Sequence, residues 1–258
     1  MLESTRVCLI TGSATGIGAA CARTFALHGW RVALSYFDDS TQAEAQIVAA
    51  DCRAAGVEVL LQSLDVRDDD NCQQYVQAVL HRWGRLDALI NCAGTTRFIA
   101  HADLAALDAD EFHRTYDVNV VGTYQMIHAC AEALKASGQG AVVNISSIGG
   151  VLGRGSSMAY AASKGALNTL TLSLARTLAP HVRVNAIAPG FVDGGLPSRV
   201  LEKVQYAQVL AAQTAASVLQ RVSQPQEVAA LAWFLTTQAP AMTGSVLIMN
   251  NGLHLNAG

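Results

Sequence analysis

The chain has 258 residues, of which 51% are hydrophobic and 14% are charged, and its formal net charge is -3 at pH 7. This composition predicts one domain with a large buried core and excludes intrinsic disorder. The lack of a basic surplus argues against nucleic acid or an anionic membrane as a partner. No apolar run is long enough to span a bilayer and no signal peptide is recognisable, so we expect a cytoplasmic protein.

Strand-like and helix-like segments alternate along the whole sequence. The predicted strands are 6–10, 31–36, 57–64, 86–90, 141–145, 182–188 and 245–249. The predicted helices are 19–28, 41–55, 68–83, one long helix within 108–136, 157–178, 198–213 and 224–237. This alternation predicts a single α/β domain over residues 1–258, doubly wound, with a seven-stranded parallel sheet and helices on both faces. Ligands of such sheets bind beyond the carboxyl ends of the strands, and we expect residues of about 193–217 to form a lid over the substrate.

Six cysteines, at positions 8, 21, 52, 72, 92 and 130, show no Cys-x-x-Cys spacing. We therefore interpret them as reduced, mostly buried thiols rather than as a disulfide or zinc framework. The seven histidines show no His-Glu-x-x-His or similar pairing. The sequence thus indicates no metal site.

The first predicted strand leads into a glycine-rich turn, Thr11-Gly12-Ser13-Ala14-Thr15-Gly16-Ile17-Gly18. Glycine at 12 permits a tight turn, glycine at 16 lets the backbone approach a pyrophosphate, and glycine at 18 lets helix and strand pack closely. The pyrophosphate would then bind the amide groups and the positive end of the following helix. An ordinary turn is the alternative, but the flanking strand and helix favour a dinucleotide site of the Rossmann type.

The helix 157–178 carries leucines at three- and four-residue steps, so Tyr160 and Lys164, four apart, share one face. With only Lys164 and Arg176 charged, this helix is predicted to be buried on most sides. A lysine there could lie along apolar surface with its amine in water. Alternatively, its ammonium favours the phenolate of Tyr160. Lowering the pKa of that phenol from about 10 to near 7 needs roughly 4 kcal/mol, which a cation at about 4 Å supplies at an effective dielectric constant of 20.

Further polar residues follow the predicted strands, as the turn 11–18 does. Asn91-Cys92-Ala93-Gly94 ends the fourth strand, Ser146-Ser147 the fifth and Pro189-Gly190 the sixth. Asn119 instead falls inside the predicted long helix, where its side chain competes for backbone hydrogen bonds.

With these motifs in this order, the chain resembles the shorter members of the short-chain dehydrogenase/reductase family over essentially its whole length. Ser147 precedes Tyr160 by thirteen residues, which is the family's spacing. The residues that carry the resemblance are 11–18, Asp65, 91–94, Asn119, Ser147, 160–164 and 189–190. The resemblance implies an NAD(P)-dependent oxidoreductase that transfers a hydride between nicotinamide and a secondary alcohol or ketone. A 3-oxoacyl thioester and a sugar are among the candidate substrates.

The resemblance also assigns roles to the catalytic residues. Tyr160 would exchange the hydroxyl proton, Ser147, rather than Ser146, would hold the substrate oxygen, and Lys164 would bias Tyr160 and hold the nicotinamide ribose. Asn119 would position a water that relays protons from Lys164 to solvent. The residues implied to bind the cofactor are Gly12, Ser13, Ile17, Gly18, Tyr36, Asp65, Val66, Asn91, Gly94, Tyr160, Lys164, Pro189, Gly190 and Val192.

Two departures from the family concern the cofactor. Gly194 stands where the family commonly has a threonine that binds the pyrophosphate or carboxamide, which predicts a looser hold there. Cys92 replaces the usual second asparagine, and we interpret it as a small packing residue.

The choice between NAD and NADP depends on the end of the second strand. Tyr36 lies where relatives that prefer NAD have an aspartate for the ribose 2′-hydroxyl, which removes the usual argument for NAD. Residues 13–15 and 36–40 contain no lysine or arginine to receive a 2′-phosphate, however, and Asp38 and Asp39 would repel one. The sequence therefore slightly favours NAD.

The predicted substrate pocket is mainly apolar. Arg154, and Arg97 after the fourth strand, are candidates for binding a substrate carboxylate or phosphate, although solvated loop arginines are the more common case. The residues implied to line the pocket are Ile148, Val151, Leu152, Arg154 and Phe191, with Phe98 and Leu196 beside them.

Two other functions fit the sequence less well. A protein that binds a dinucleotide without turnover, as a redox-responsive partner, would usually lack the tyrosine or the lysine, and this chain has both. The epimerase or dehydratase chemistry of longer relatives is disfavoured because no second substrate domain is present. The family resemblance finally implies a homo-oligomer, usually a tetramer, with contacts through the Asn119 helix, the Tyr160 helix and the region near the carboxyl terminus.

Overall fold

A computed structural model describes residues 5–256, so the first four and last two residues of the predicted domain lie outside it. Seven parallel strands form one sheet in the order β3-β2-β1-β4-β5-β6-β7, and the predicted seven-stranded parallel sheet is confirmed. The strands are β1 (Val7–Thr11), β2 (Arg31–Tyr36), β3 (Val59–Ser63), β4 (Ala88–Asn91), β5 (Gly140–Ile145), β6 (Val182–Pro189) and β7 (Val246–Met249).

Helices cover both faces of this sheet, as predicted. They are α1 (Gly16–Leu27), α2 (Asp39–Ala54), α3 (Asp69–Trp83), α4 (Ala109–Tyr116), α5 (Thr123–Ala136), α6 (Gly149–Leu152), α7 (Met158–Leu178), α8 (Pro197–Val200), α9 (Lys203–Ala216) and α10 (Pro225–Thr237). Short 3₁₀ turns span Leu104–Ala106 and Leu253–Asn256, and a π-helical segment spans Asp117–Gly122.

Two apolar cores result, one on each side of the sheet. Alternate residues of a strand point to opposite faces, so Cys8 and Ile10 pack with residues of α1, α2 and α10, whereas Val7 and Leu9 pack with residues of α3, α5 and α7. All five residues of β1 are buried, as expected for a central parallel strand covered on both faces. This burial fixes the strand ends in space and therefore fixes the residues that follow them.

Two predicted helices differ from the structure. The segment 198–213 is not one helix, because Leu201 and Glu202 are extended and separate α8 from α9. The long helix within 108–136 is interrupted by the π-helical segment, which contains Asn119. Such a segment admits one extra residue per turn and is frequent at functional sites.

Some features of residues 5–256 bear on the functional classes. Within this range no helix has the length and apolar character that a membrane crossing needs. No group of three or more His, Cys, Asp or Glu residues in the same range could hold a metal ion. All six cysteines are free thiols, and five of them are buried.

Candidate active site

A cavity of about 870 Å³ lies at the carboxyl ends of the central strands. The strand order reverses between β1 and β4, and doubly wound sheets bind ligands at this switch point. Residues of α8 and α9, from the predicted lid, form one wall. The predicted site residues that line the cavity are Gly12, Ile17, Gly18, Tyr36, Asp65, Val66, Gly94, Phe98, Ser147, Ile148, Leu152, Arg154, Tyr160, Lys164, Pro189, Gly190, Phe191, Val192 and Leu196.

The glycine-rich turn forms the floor of this cavity below the start of α1. Gly12 has a φ of +61°, and a Cβ there would lie 3.0 Å from Ala93 Cα. A Cβ at Gly18 would collide with the carbonyl oxygen of Gly12. Thr15 precedes the helix without a side-chain capping bond, and no acidic residue lies in the first turn of α1. The free amides and the positive helix end fit the pyrophosphate of a dinucleotide.

Tyr160, Ser147 and Lys164 meet on the opposite wall. The hydroxyl of Ser157 accepts a hydrogen bond from the amide of Tyr160 and so begins α7 just before the tyrosine. Ser147, two residues after β5, lies beside the phenol of Tyr160 and lowers its pKa, and its hydroxyl accepts a hydrogen bond from the amide of Gly149 at 3.0 Å. Lys164 Nζ lies 5.7 Å from the ring centre of Tyr160 and donates to the carbonyl oxygen of Ile145 at 2.8 Å. The sequence-predicted constellation is therefore brought together in the structure.

The neighbouring Ser146 has a different environment. Its hydroxyl donates to Asn168 Oδ1 at 2.6 Å and lies 3.3 Å from the carbonyl oxygen of Lys164. Because both partners belong to α7, Ser146 attaches β5 to that helix. Ser147 is the serine that reaches the phenol.

The protonation of this pair differs from the sequence-based argument, which had Lys164 lower the pKa of Tyr160. Burial raises the pKa of the Tyr160 phenol above its usual value, and the neighbouring Ser147 hydroxyl opposes that rise in part. Burial also lowers the pKa of Lys164 from 10.5 to about 8, although the nearby Cys92 opposes this shift. In this protein, desolvation outweighs the attraction between the ammonium and a phenolate.

Besides Arg97, four predicted site residues do not line the cavity. Ser13 is buried, where its hydroxyl donates to the Ser35 carbonyl at 3.1 Å and accepts from the Ser35 amide at 2.8 Å. Asn91 is also buried and donates to Asn144 Oδ1 at 2.9 Å, which joins β4 to β5. Val151 lies on α6 with 43% of its surface exposed.

The fourth is Asn119, which is fully buried. Its side chain accepts from the amide of Thr95 at 2.8 Å and donates to the carbonyl of Thr95 and to Ser163 Oγ, each at 3.0 Å. A Cβ at Gly94 would lie 3.4 Å from Asn119 Oδ1 and 3.8 Å from Lys164 Nζ. Asn119 thus ties the π-helical segment to the chain after β4, directly behind the lysine.

Sequence reasoning gave no role to one side chain that shapes the site. Thr11 Oγ1 accepts hydrogen bonds from the amides of Cys92 and Ala93, at 3.1 and 3.0 Å, and so joins the ends of β1 and β4. Its position as the last residue of a buried strand, just before the glycine turn, is the only sequence signal for this role.

Comparison with known proteins agrees with this geometry. A family model described as enoyl-(acyl carrier protein) reductase matches residues 12–254. A Streptomyces violaceoruber protein described as ketoacyl reductase 2 of the granaticin polyketide synthase is 36% identical, over 96% of both chains. The protein belongs to the short-chain dehydrogenase/reductase family. As in its named relatives, it is an enzyme that oxidises alcohols or reduces ketones with a nicotinamide cofactor.

Solved structures place this short-chain dehydrogenase/reductase in the same fold. A Burkholderia xenovorans protein described as a short-chain dehydrogenase/reductase is 53% identical and covers 98% of this chain and 99% of its own, with a TM-score of 0.92. An NAD⁺-bound xylitol dehydrogenase is 29% identical and covers 97% of this chain and 100% of its own, with a TM-score of 0.86.

In this short-chain dehydrogenase/reductase, residues after β2 and β3 form one end of the cavity, where the sequence predicts the adenosine site. Asp65 pairs with Arg67 through several hydrogen bonds, with a shortest distance of 2.7 Å, and these bonds lower the pKa of Asp65. The carboxylate of Asp38 caps α2 through the amide of Ser40. Tyr36 accepts a hydrogen bond from Gln42. Arg67 is thus already paired with the carboxylate of Asp65, and Asp38 adds negative charge at this end of the cavity.

Apolar side chains also line the cavity, most of them predicted from the sequence for the substrate pocket. Phe98, Leu152 and Phe191 line it, together with Val209 from the lid. Arg154 is exposed and also lines the cavity, whereas Arg97, the other predicted candidate, is exposed and lies outside the lining. Cys92 lines the cavity beside the glycine turn, and a hydrogen bond with Cys21, followed by burial, raises its thiol pKa. This environment suits a packing role better than a nucleophilic one.

Proposed function

We propose that this short-chain dehydrogenase/reductase interconverts a secondary alcohol and the corresponding ketone, and that Tyr160 exchanges the hydroxyl proton. The observation that carries the proposal is the meeting of the Ser147 and Tyr160 hydroxyls at the cavity wall, with the ammonium of Lys164 on the same face of α7. Three polar groups that converge in a cavity with apolar side chains in its lining are what acid–base catalysis on one substrate oxygen needs.

Each residue has a distinct task in this proposal. Ser147 donates a hydrogen bond to the substrate oxygen and so holds it beside the phenol. Tyr160 gives its proton to that oxygen in the reducing direction and takes it back in the oxidising direction. A bound nicotinamide cofactor supplies the hydride chemistry. Asn119 fixes the backbone at Thr95, next to Gly94 and near Lys164, and so supports the lysine in relaying protons and in holding the nicotinamide ribose.

The raised pKa of Tyr160 should affect ketone reduction and alcohol oxidation differently. A phenol whose pKa lies above its usual value is protonated at neutral pH and can act directly as an acid toward a ketone oxygen. In the oxidising direction the phenolate must first form. We therefore expect alcohol oxidation to accelerate with rising pH, while ketone reduction falls.

We also propose that the cofactor is NAD rather than NADP. The phosphates would lie on Gly12, Ile17 and Gly18 at the start of α1. The adenosine half would lie between Tyr36 and the pair Asp65 and Val66. Because Arg67 is engaged by Asp65 and because Asp38 faces the same end, a 2′-phosphate would meet net negative charge.

The substrate proposed is a small to medium alcohol or ketone with apolar surface. A 3-oxoacyl thioester and a sugar are the finer candidates, because the relatives named above include a ketoacyl reductase and a xylitol dehydrogenase. A cytoplasmic homotetramer is the assembly we propose. In its favour, Val121, Tyr124 and Leu172 are exposed on the helical segments that the family uses for contacts.

The test is a panel of secondary alcohols and ketones, followed by nicotinamide absorbance with the wild-type enzyme and with Tyr160→Phe. We expect turnover of at least one substrate, and a loss of roughly 10²- to 10⁴-fold in the variant. Undiminished turnover in Tyr160→Phe would remove the phenol from its role. Dinucleotide binding without turnover of any substrate would favour the redox-responsive binding protein instead.

A further inference from the structure

Arg199 lies in α8, within the lid, and reaches across to the glycine-rich turn. Its Nη1 atom donates a hydrogen bond to Thr15 Oγ1 at 3.2 Å, although the two residues are 184 positions apart. Both residues line the cavity. Thr15 is the residue that immediately precedes α1, so the guanidinium is held at the amino-terminal end of that helix.

The electrostatics of this contact are unfavourable without an anion. The amino-terminal end of a helix carries partial positive charge, and cations are disfavoured there. No acidic residue in the first turn of α1 offsets this charge. Within residues 5–256, Arg199 has no carboxylate at ion-pair distance. Two positive groups thus converge on one side of the cavity, and a doubly charged anion would satisfy both.

The lid already lies against the turn at this point. A Cβ at Gly16 would lie 3.3 Å from the carbonyl oxygen of Gly194 and 3.4 Å from Gly195 Cα. The hydroxyl of Tyr206 accepts from the amide of Gly194 at 2.9 Å and donates to Asp193, so α9 holds this part of the lid in place. Gly194 itself has no side chain with which to contact a phosphate, whereas the side chain of Arg199 hydrogen-bonds the turn at Thr15.

We propose that Arg199 is a cofactor-binding residue whose guanidinium binds the pyrophosphate of the dinucleotide together with the amides at the start of α1. The inference rests on the proposed function, since it assumes that the dinucleotide binds in this cavity. A guanidinium offers paired donors that match phosphate oxygens. Arg199 then links the lid to the cofactor, because its helix, α8, is part of the cavity wall.

Isothermal titration calorimetry tests this assignment without turnover. The ligands are NAD⁺, NADP⁺, ADP-ribose, which keeps the pyrophosphate but lacks nicotinamide, and adenosine, which has no phosphate. We expect Arg199→Gln to weaken NAD⁺ and ADP-ribose binding about tenfold, the size of one charge-assisted hydrogen bond, and to leave adenosine binding unchanged. Arg199→Lys should recover part of the lost affinity, because it keeps the charge without the paired donors.

Lys203→Gln is the matched control, because it removes one positive charge from the same lid outside the cavity lining. It should bind all four ligands as the wild type does. Hydrogen exchange gives a second readout: ADP-ribose should slow amide exchange in residues 197–216 of the wild type and do so less in Arg199→Gln.

Three results would overturn the assignment. Equal ADP-ribose affinity in wild type and Arg199→Gln would remove Arg199 from the phosphate site. A loss confined to NADP⁺ would mean that Arg199 reads a 2′-phosphate instead of the pyrophosphate. Failure of the wild type to bind either NAD⁺ or NADP⁺ would refute the proposed function itself, and this outcome is distinct from the other two.

Discussion

The buried ammonium of Lys164 should make the fold less stable at neutral pH than at alkaline pH. The residue is only 5% exposed, and burial lowers its pKa from 10.5 to about 8. Each pKa unit corresponds to about 1.4 kcal/mol, so keeping this group charged in the folded protein costs roughly 3 kcal/mol at pH 7.

The sign follows from the protons bound in each state. Between pH 8 and 10.5 the unfolded chain keeps the proton of Lys164, whereas the folded protein has released it. Unfolding then takes up a proton, and stability rises with pH. Relative to Lys164→Met, which has nothing to titrate at this position, the wild type should gain roughly 2–3 kcal/mol between pH 7 and 10.

Urea denaturation of both proteins at pH 7, 8, 9 and 10 measures this difference. Titrations of cysteines and tyrosines away from Lys164 are common to both proteins and cancel in the comparison. Tyr160 and Cys92, which lie near Lys164, are replaced by Phe and Ala in both proteins so that they do not contribute. Lys203→Met, at an exposed position of α9, is the control and should follow the wild type at every pH. A constant difference between wild type and Lys164→Met across the range would refute the argument that desolvation dominates at this lysine.

The remaining predictions concern the fold, the substrate, the cofactor and the assembly. Ser13→Ala should lower the free energy of unfolding by about 1–2 kcal/mol, since it leaves the buried Ser35 amide unpaired, and should leave the NAD⁺ dissociation constant unchanged; a large change in that constant would place Ser13 at the cofactor after all. Arg154→Ala should raise KM for an acidic substrate and leave KM for a neutral one alone, and equal effects on both would dismiss the arginine as a specificity residue. The value of kcat/KM should be higher with NAD⁺ than with NADP⁺, and a large preference for NADP⁺ would contradict the proposed cofactor. Light scattering should give the mass of four chains, and a monomer would contradict the proposed assembly.

The fold was predictable because its signals are local. Alternating apolar strands and helices, with glycine at positions 12, 16 and 18, suffice to predict a parallel sheet with a dinucleotide turn after the first strand. The placement of Ser147, Tyr160 and Lys164 in one cavity follows from the same pattern, since Tyr160 and Lys164 lie one helical turn apart and Ser147 closely follows β5.

The departures have physical causes that the sequence does not display. The sequence argument for Lys164 counted the attraction between two charges but not the desolvation of each, and burial proved the larger effect. The sequence does not show the π-helical segment that contains Asn119, so it could not predict the hydrogen bonds between Asn119 and Thr95. Arg199 and Thr15 are 184 positions apart, so only the tertiary structure shows that they meet. The break of the predicted lid helix at Leu201 and Glu202 is likewise not evident from the sequence.

The central claim is that Tyr160 exchanges a proton with the substrate oxygen while Ser147 holds that oxygen. A crystal structure with the cofactor and a substrate ketone or alcohol bound measures this most directly. We predict that the substrate oxygen lies within about 2.6–3.2 Å of both hydroxyls. A substrate oxygen bound elsewhere in the cavity, out of reach of the Tyr160 hydroxyl, would contradict the account.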